Sequence, residues 1–225
     1  MSETGRDPFS QLLYPMLSPQ PEVGEELIRE LARAPLEKSA ESNRLRRVLL
    51  DEYADQILVA GERMADAFRR GGRLLALGNG GSATSAADLV TELMLPPAGM
   101  RPLPALSLTN DIAVVTAVGN DIGFDDVFVR QIIALARPDD VVVAVSTSGN
   151  SENLVRGLRE ARRRGLCTIA ICGHDGGRMA REECADHCFV VRSSSVHRIQ
   201  EVQMTLYHVL TALARHALDG DHPCA

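Results

Sequence analysis

The sequence predicts a doubly wound α/β fold, with a parallel five-stranded sheet flanked by helices and preceded by a helical arm. Three observations carry it. Short runs that are apolar at every position, residues 141–145 most clearly, read as strands covered on both faces. Amphipathic helical patterns separate successive runs, the alternation that builds strand–helix–strand crossovers. The length, 225 residues, suits one such domain with an arm and is too short for two full cores.

Each element follows in order. Residues 1–42, rich in Pro, Glu and Ser, hold one short helical pattern near 25–34 and predict an arm packed on the domain or on a neighbouring subunit. From 43 to 70, Val48, Leu49, Tyr53, Ile57, Ala60, Met64 and Phe68 recur at three- and four-residue steps, predicting a long amphipathic helix that Gly71-Gly72 stops. Residues 73–77 predict the first strand, followed by a Gly-rich loop and a helix over 82–94. A second strand is expected over 103–108, then helices over 111–118 and 124–136. The third strand, 141–145, leads into a helix over 151–164. Strands over 167–172 and 188–191 and a helix over 197–218 complete a domain set at 43–218, leaving 219–225 as a tail.

Composition narrows the function. Thirty acidic against 24 basic residues leave a formal charge of −6, which argues against a nucleic-acid or membrane-surface partner. No apolar run approaches a bilayer span, and the opening MSETGRDPFS lacks the basic stretch and apolar core of a signal peptide, so a cytoplasmic protein is expected. Cys167, Cys172, Cys184 and Cys188, spaced C-x4-C-x11-C-x3-C, do not form the paired knuckles of structural zinc. Reduced cysteines in strand patterns behave as small hydrophobes.

Two loops are chemically unusual, and in such folds ligands bind where strands end and helices begin. Gly78-Asn79-Gly80-Gly81-Ser82-Ala83 lets backbone N–H groups approach an anion at a helix N-terminus. It also matches G-x-G-x-x-A, but the second strand ends Ser107-Leu108-Thr109-Asn110 without the carboxylate a dinucleotide ribose needs. A tight turn capping a helix accounts for this loop equally well. Ser146-Thr147-Ser148-Gly149-Asn150-Ser151 places four hydroxyls and a glycine at another helix start, more than a cap requires. Neither loop has a lysine or arginine, which suits a monoanionic ester better than a nucleoside triphosphate.

GNGGS, then VGND at residues 118–121, then STSGNS, resembles the SIS (sugar isomerase) domain, which is flavodoxin-like. More narrowly the chain resembles the phosphoheptose isomerases, which interconvert sedoheptulose 7-phosphate and D-glycero-D-manno-heptose 7-phosphate. The resemblance covers about residues 44–218 and continues through Arg198-Ile199-Gln200-Glu201 to His208. It implies an aldose–ketose isomerase acting through an enediol on a small-molecule sugar phosphate, in a homotetramer whose sites are built from adjacent chains. Ser82, Ser146, Thr147, Ser148 and Ser151 would hold the phosphate, and Asn79, Gly80, Gly81, Asn120, Asp121 and Gln200 the rest of the substrate. Glu92 and His208 would move the protons. In metal-bearing members a zinc ion would sit on the positions occupied here by Asp88, Glu92, Gln200 and His208.

The side chains themselves agree in part. Asp88 and Glu92 lie one helical turn apart on one face, and Gln200 and His208 about two turns apart on another. Moving a proton between adjacent sugar carbons needs a base for the C–H and an acid for the carbonyl oxygen, which a carboxylate and an imidazole supply. Asp88 departs from the family, which usually has a histidine there, and puts the zinc in question. The same departure keeps open a non-catalytic alternative: relatives over this span that bind the replication initiator DnaA as assembly factors, or that sense sugar phosphates. Retention of both Glu92 and His208 favours chemistry.

Overall fold

A computed structural model describes residues 25–219, with side chains of the first turns left aside. Contacts within the chain divide it into residues 1–40 and 41–225. The tail and most of the arm expected from sequence lie outside the described residues.

Helix α1 (Glu25–Arg69) runs through Pro35 without a break, so the arm's helical pattern and the long amphipathic helix are one element. Residues 35–41 are exposed and carry no periodicity, and among the side chains described the buried apolar stripe begins at Leu45. Leu49, Tyr53, Ile57, Ala60, Met64 and Phe68 are buried as expected, whereas Val48 faces outward at 49% exposure.

The rest alternates. Strand β1 (Leu74–Gly78) leads to α2 (Gly81–Met94), β2 (Ala105–Ser107) and α3 (Ile112–Asp121). A 3₁₀ turn (Phe124–Asp126) then precedes α4 (Val127–Leu135) and β3 (Val141–Val145). The chain ends through α5 (Glu152–Arg163), β4 (Cys167–Gly173), α6 (Gly177–Arg181), β5 (His187–Val191) and α7 (Val196–Asp219). β2 is shorter than its pattern because Pro104 has no N–H to donate, and pairing begins at Ala105. The five-residue α6 is too short to show a helical period in sequence.

The five strands are all parallel, in the order β2-β1-β3-β4-β5. Alternate residues of β1 and β3 feed opposite cores, which explains their unbroken apolar character. Leu74, Ala76, Val141, Val143 and Val145 pack with the buried faces of α1, α2 and α7. Leu75, Leu77, Val142 and Ala144 pack with α4 and α5. Cys172 and Cys184 are buried and Cys167 and Cys188 partly so, all four as free thiols; burial pushes the Cys167 thiol up to about 11.

Asp111 caps α3, its carboxylate accepting from the Val114 amide at 3.0 Å. Asp111→Ala is expected to lower stability by about 1 kcal/mol in a urea titration, the usual cost of losing a helix N-cap.

From β1 the chain winds outward to β2, then crosses back to β3 on the other side of β1. The loops leaving β1 and β3 therefore part at the switch point where doubly wound sheets bind ligands.

Candidate active site

Gly78 pairs with Val145, so the loops after β1 and β3 start side by side at the carboxyl edge of the sheet. α2 and α5 begin directly after them, so their positive ends lie at the same edge of the sheet. The first loop is tight. A Cβ on Gly78 would collide with the backbone carbonyl of Ser82, and Gly80 sits at φ +53°. The Ser82 amide closes the turn onto the Asn79 carbonyl at 3.0 Å.

The second loop is folded on itself by its own hydroxyls. The Gly149 amide donates to Ser146 Oγ at 3.0 Å and the Asn150 amide to Ser148 Oγ at 3.2 Å. Ser151 precedes α5 without a side-chain cap bond. Thr147, Ser148 and Ser151 are half-buried, while Ser82 and Ser146 are buried. Asn79 and Asn153 exchange reciprocal amide hydrogen bonds at 2.9 and 3.0 Å, tying the first loop to α5. Gln203, fully buried on α7, donates to the carbonyls of Ser146 and Ile171 at 2.9 and 3.0 Å. It thus anchors the second loop where β3 and β4 diverge.

α2 carries the chain from the first loop to the acid–base residues. Its contacts with α7 advance together along both helices, so the two run in the same direction. Gln200 lies against Gly81, Tyr207 meets Asp88, and His208 meets Glu92. His208 Nδ1 and Glu92 Oε2 are 2.6 Å apart, and the Thr211 hydroxyl donates to Glu92 Oε1 at 2.5 Å. Glu92 is 30% and His208 46% exposed, so both are open to a ligand. Arg215 donates to the carbonyls of Glu92 and Leu93 at 3.1 and 3.0 Å, satisfying the end of α2.

Asp88 is held differently. Tyr207 Oη donates to Asp88 Oδ2 at 2.7 Å. Burial, reinforced by that hydrogen bond, holds the Tyr207 phenol far above its ordinary pKa and keeps it a donor.

Among the described residues no group of three or more His, Cys, Asp or Glu side chains is placed to hold a metal ion. Of the four positions the resemblance assigns to zinc, Asp88 and Glu92 are one turn apart on α2 and His208 meets Glu92, whereas Gln200 on α7 lies against Gly81, roughly 16 Å of helix axis before Glu92 at 1.5 Å per residue. In this arrangement they do not fit a single metal cage.

The structure thus gathers the two loops at one edge and joins Glu92 to His208. It does not bring Asn120 and Asp121 to them: both are exposed at the end of α3, and Asn120 donates to Asp121 at 2.8 Å. Asn153, Gln203, Tyr207 and Thr211 go unnoticed in the sequence. Only Thr211 leaves a trace, one helical turn beyond His208 on the same face.

The comparisons agree with this fold. The SIS domain model matches residues 39–173. A phosphoheptose isomerase of Aquifex aeolicus is 43% identical over 178 residues, covering 77% of this chain and 90% of its own. The chain belongs to the SIS-domain phosphoheptose isomerase family. The solved phosphoheptose isomerase of Neisseria gonorrhoeae superposes with a TM-score of 0.74 at 36% identity, covering 83% of this chain and 98% of that one. That of Francisella tularensis gives 0.70 at 30% identity, over 81% and 98%. As a member of the phosphoheptose isomerase family the protein is an enzyme, an isomerase of the sugar-phosphate class.

Proposed function

We propose that the protein interconverts sedoheptulose 7-phosphate and D-glycero-D-manno-heptose 7-phosphate through an enediol. The observation that carries this reading is the 2.6 Å contact of His208 with Glu92 on the helix that leaves the first loop. The phosphate lies between the starts of α2 and α5, bound by Ser82, Ser146, Thr147, Ser148, Ser151 and backbone amides. Neutral donors and two helix dipoles match an ester anion without a lysine. Asn79, Gly80, Gly81, Gln200, Asn120 and Asp121 line the path of the sugar hydroxyls.

Glu92 removes a proton from C1 of the ketose as the carbonyl oxygen at C2 takes one from the His208 imidazolium. The C1–C2 bond becomes the enediol double bond. A proton is then returned to C2 while the C1 hydroxyl loses its own, leaving the aldehyde. Contact between carboxylate and imidazole lets the pair reset without bulk solvent.

The assembly in this reading is a homotetramer, with Asn120 and Asp121 reaching an adjacent chain's site. Helix α3 supports it: the helix is predominantly apolar yet has no buried residue, and Ile112, Ile122 and Phe124 at or just beyond its ends are more than half exposed. Residues 43–218 form the catalytic domain and the reaction is cytoplasmic, in keeping with four free thiols. No described helix is long and apolar enough to cross a membrane.

The test is direct. Purified protein with sedoheptulose 7-phosphate should yield the manno aldose, read by NMR of the anomeric carbons. Turnover only of a shorter ketose phosphate would move the substrate, and none with any ketose phosphate would overturn the reading.

A further inference from the structure

Three of the four side chains that the resemblance assigns to zinc, Asp88, Glu92 and His208, have hydrogen-bond partners within this chain. Glu92 Oε2 and His208 Nδ1 are 2.6 Å apart, in direct hydrogen-bond contact. Two donors on a tetrahedral zinc, each at about 2.0–2.1 Å from it, stand roughly 3.3 Å from one another. The second oxygen of Glu92 takes the Thr211 hydroxyl, and the Gln200 amide fills the space where a Cβ on Gly81 would stand.

Asp88 is the decisive position. Its carboxylate accepts the phenol of Tyr207, whose residue is only 2% exposed and packs in the core beneath α2 and α7. The ring is fixed from the other side by an edge contact with His208, centroids 4.8 Å apart. Drawing Asp88 towards a cation would leave a buried phenol without an acceptor, so the two states compete for one carboxylate. An aspartate also reaches less far from its helix than a histidine.

We propose that Tyr207 closes the metal position of this site by engaging Asp88, so that the enzyme rests without zinc and Glu92 and His208 meet the substrate as a directly bonded pair. Tyr207 and Thr211 are then positioning residues, holding carboxylates where relatives of the metal-bearing kind hold an ion. The inference rests on the reading of Glu92 and His208 as the proton-transfer pair, but its test does not need the substrate.

The full-length protein is stripped with a chelator and titrated with zinc against a chromophoric competitor, beside Asp88→Asn, Tyr207→Phe and Asp88→His/Tyr207→Phe. Wild type is expected to take up no stoichiometric zinc at micromolar free ion, and Asp88→Asn, which leaves Tyr207 an acceptor, to behave alike. The double variant, which restores a histidine and removes the competing phenol, is expected to gain roughly 10–100-fold in zinc affinity. Tyr207→Phe alone falls between them. A wild-type protein that binds one zinc per chain, and loses it in Asp88→Asn, overturns the proposal. Equal affinity of Tyr207→Phe and wild type overturns the part given to Tyr207. Should the aromatic variants misfold, wild type against Asp88→Asn still decides, since Asp88 is exposed. Wild type without zinc and without turnover of any ketose phosphate would indict the substrate reading and leave this one standing.

Discussion

Glu92→Gln is expected to lower turnover of sedoheptulose 7-phosphate by about 10²–10⁴-fold, the range over which a positioned general base contributes. Glutamine keeps the shape of the side chain and an acceptor for Thr211, but it cannot take a proton from carbon. The carboxylate lies on the partly exposed flank of α2, so the melting temperature should stay close to that of wild type. Phosphate-ester affinity should also hold, because the loops proposed to hold the anion sit at the other end of that helix. Stopped-assay product quantification and a competitive binding measurement with a non-isomerisable ester separate the two. Turnover within a few-fold of wild type would remove Glu92 from the role of base.

Gly149→Ala is expected to damage both fold and binding. Gly149 lies at φ +64°, and a Cβ there would run into the carbonyl of Gly176 in the turn before α6. The added methyl meets rigid backbone and has no flexible neighbour to displace. A strained left-handed residue and an overpacked contact each cost about 1–3 kcal/mol, so a loss of about 2–6 kcal/mol is expected in denaturant unfolding. The Gly149 amide also donates to Ser146 Oγ, so a shifted loop loses its internal order. KM should rise more steeply than kcat falls, because the distortion sits at the anion and not at the proton pair. An unchanged KM in folded Gly149→Ala protein would contradict the placement of the phosphate in this loop.

Much of the fold is legible in the sequence because burial writes itself into periodicity. β1 and β3 are buried at every residue and read as unbroken apolar runs. The helix over 35–41 is not legible for the converse reason: that stretch is exposed and buries no stripe. The loops are legible by composition, since four hydroxyls exceed what a cap uses. The proton pair is not. Glu92 and His208 are 116 positions apart, and only the parallel run of α2 against α7 makes them neighbours. The resemblance to a family joined them where spacing alone had no means to. Tyr207, Asn153 and Gln203 act by holding other side chains or carbonyls, and such support leaves neither a motif nor a period.

The reciprocal Asn79–Asn153 pair and the Gln203 anchor mean that the two loops are locked to each other before any ligand arrives. Such a preformed seat loses little conformational freedom on capture, and it recognises only one end of the molecule. With the phosphate held there as proposed, other metabolites ending in a phosphate monoester are expected to compete for it. Discrimination falls to the opposite end, where a compound without a carbonyl beside Glu92 occupies the crevice and leaves unchanged. Flux through the enzyme is then set by the total pool of such esters as well as by its own substrate.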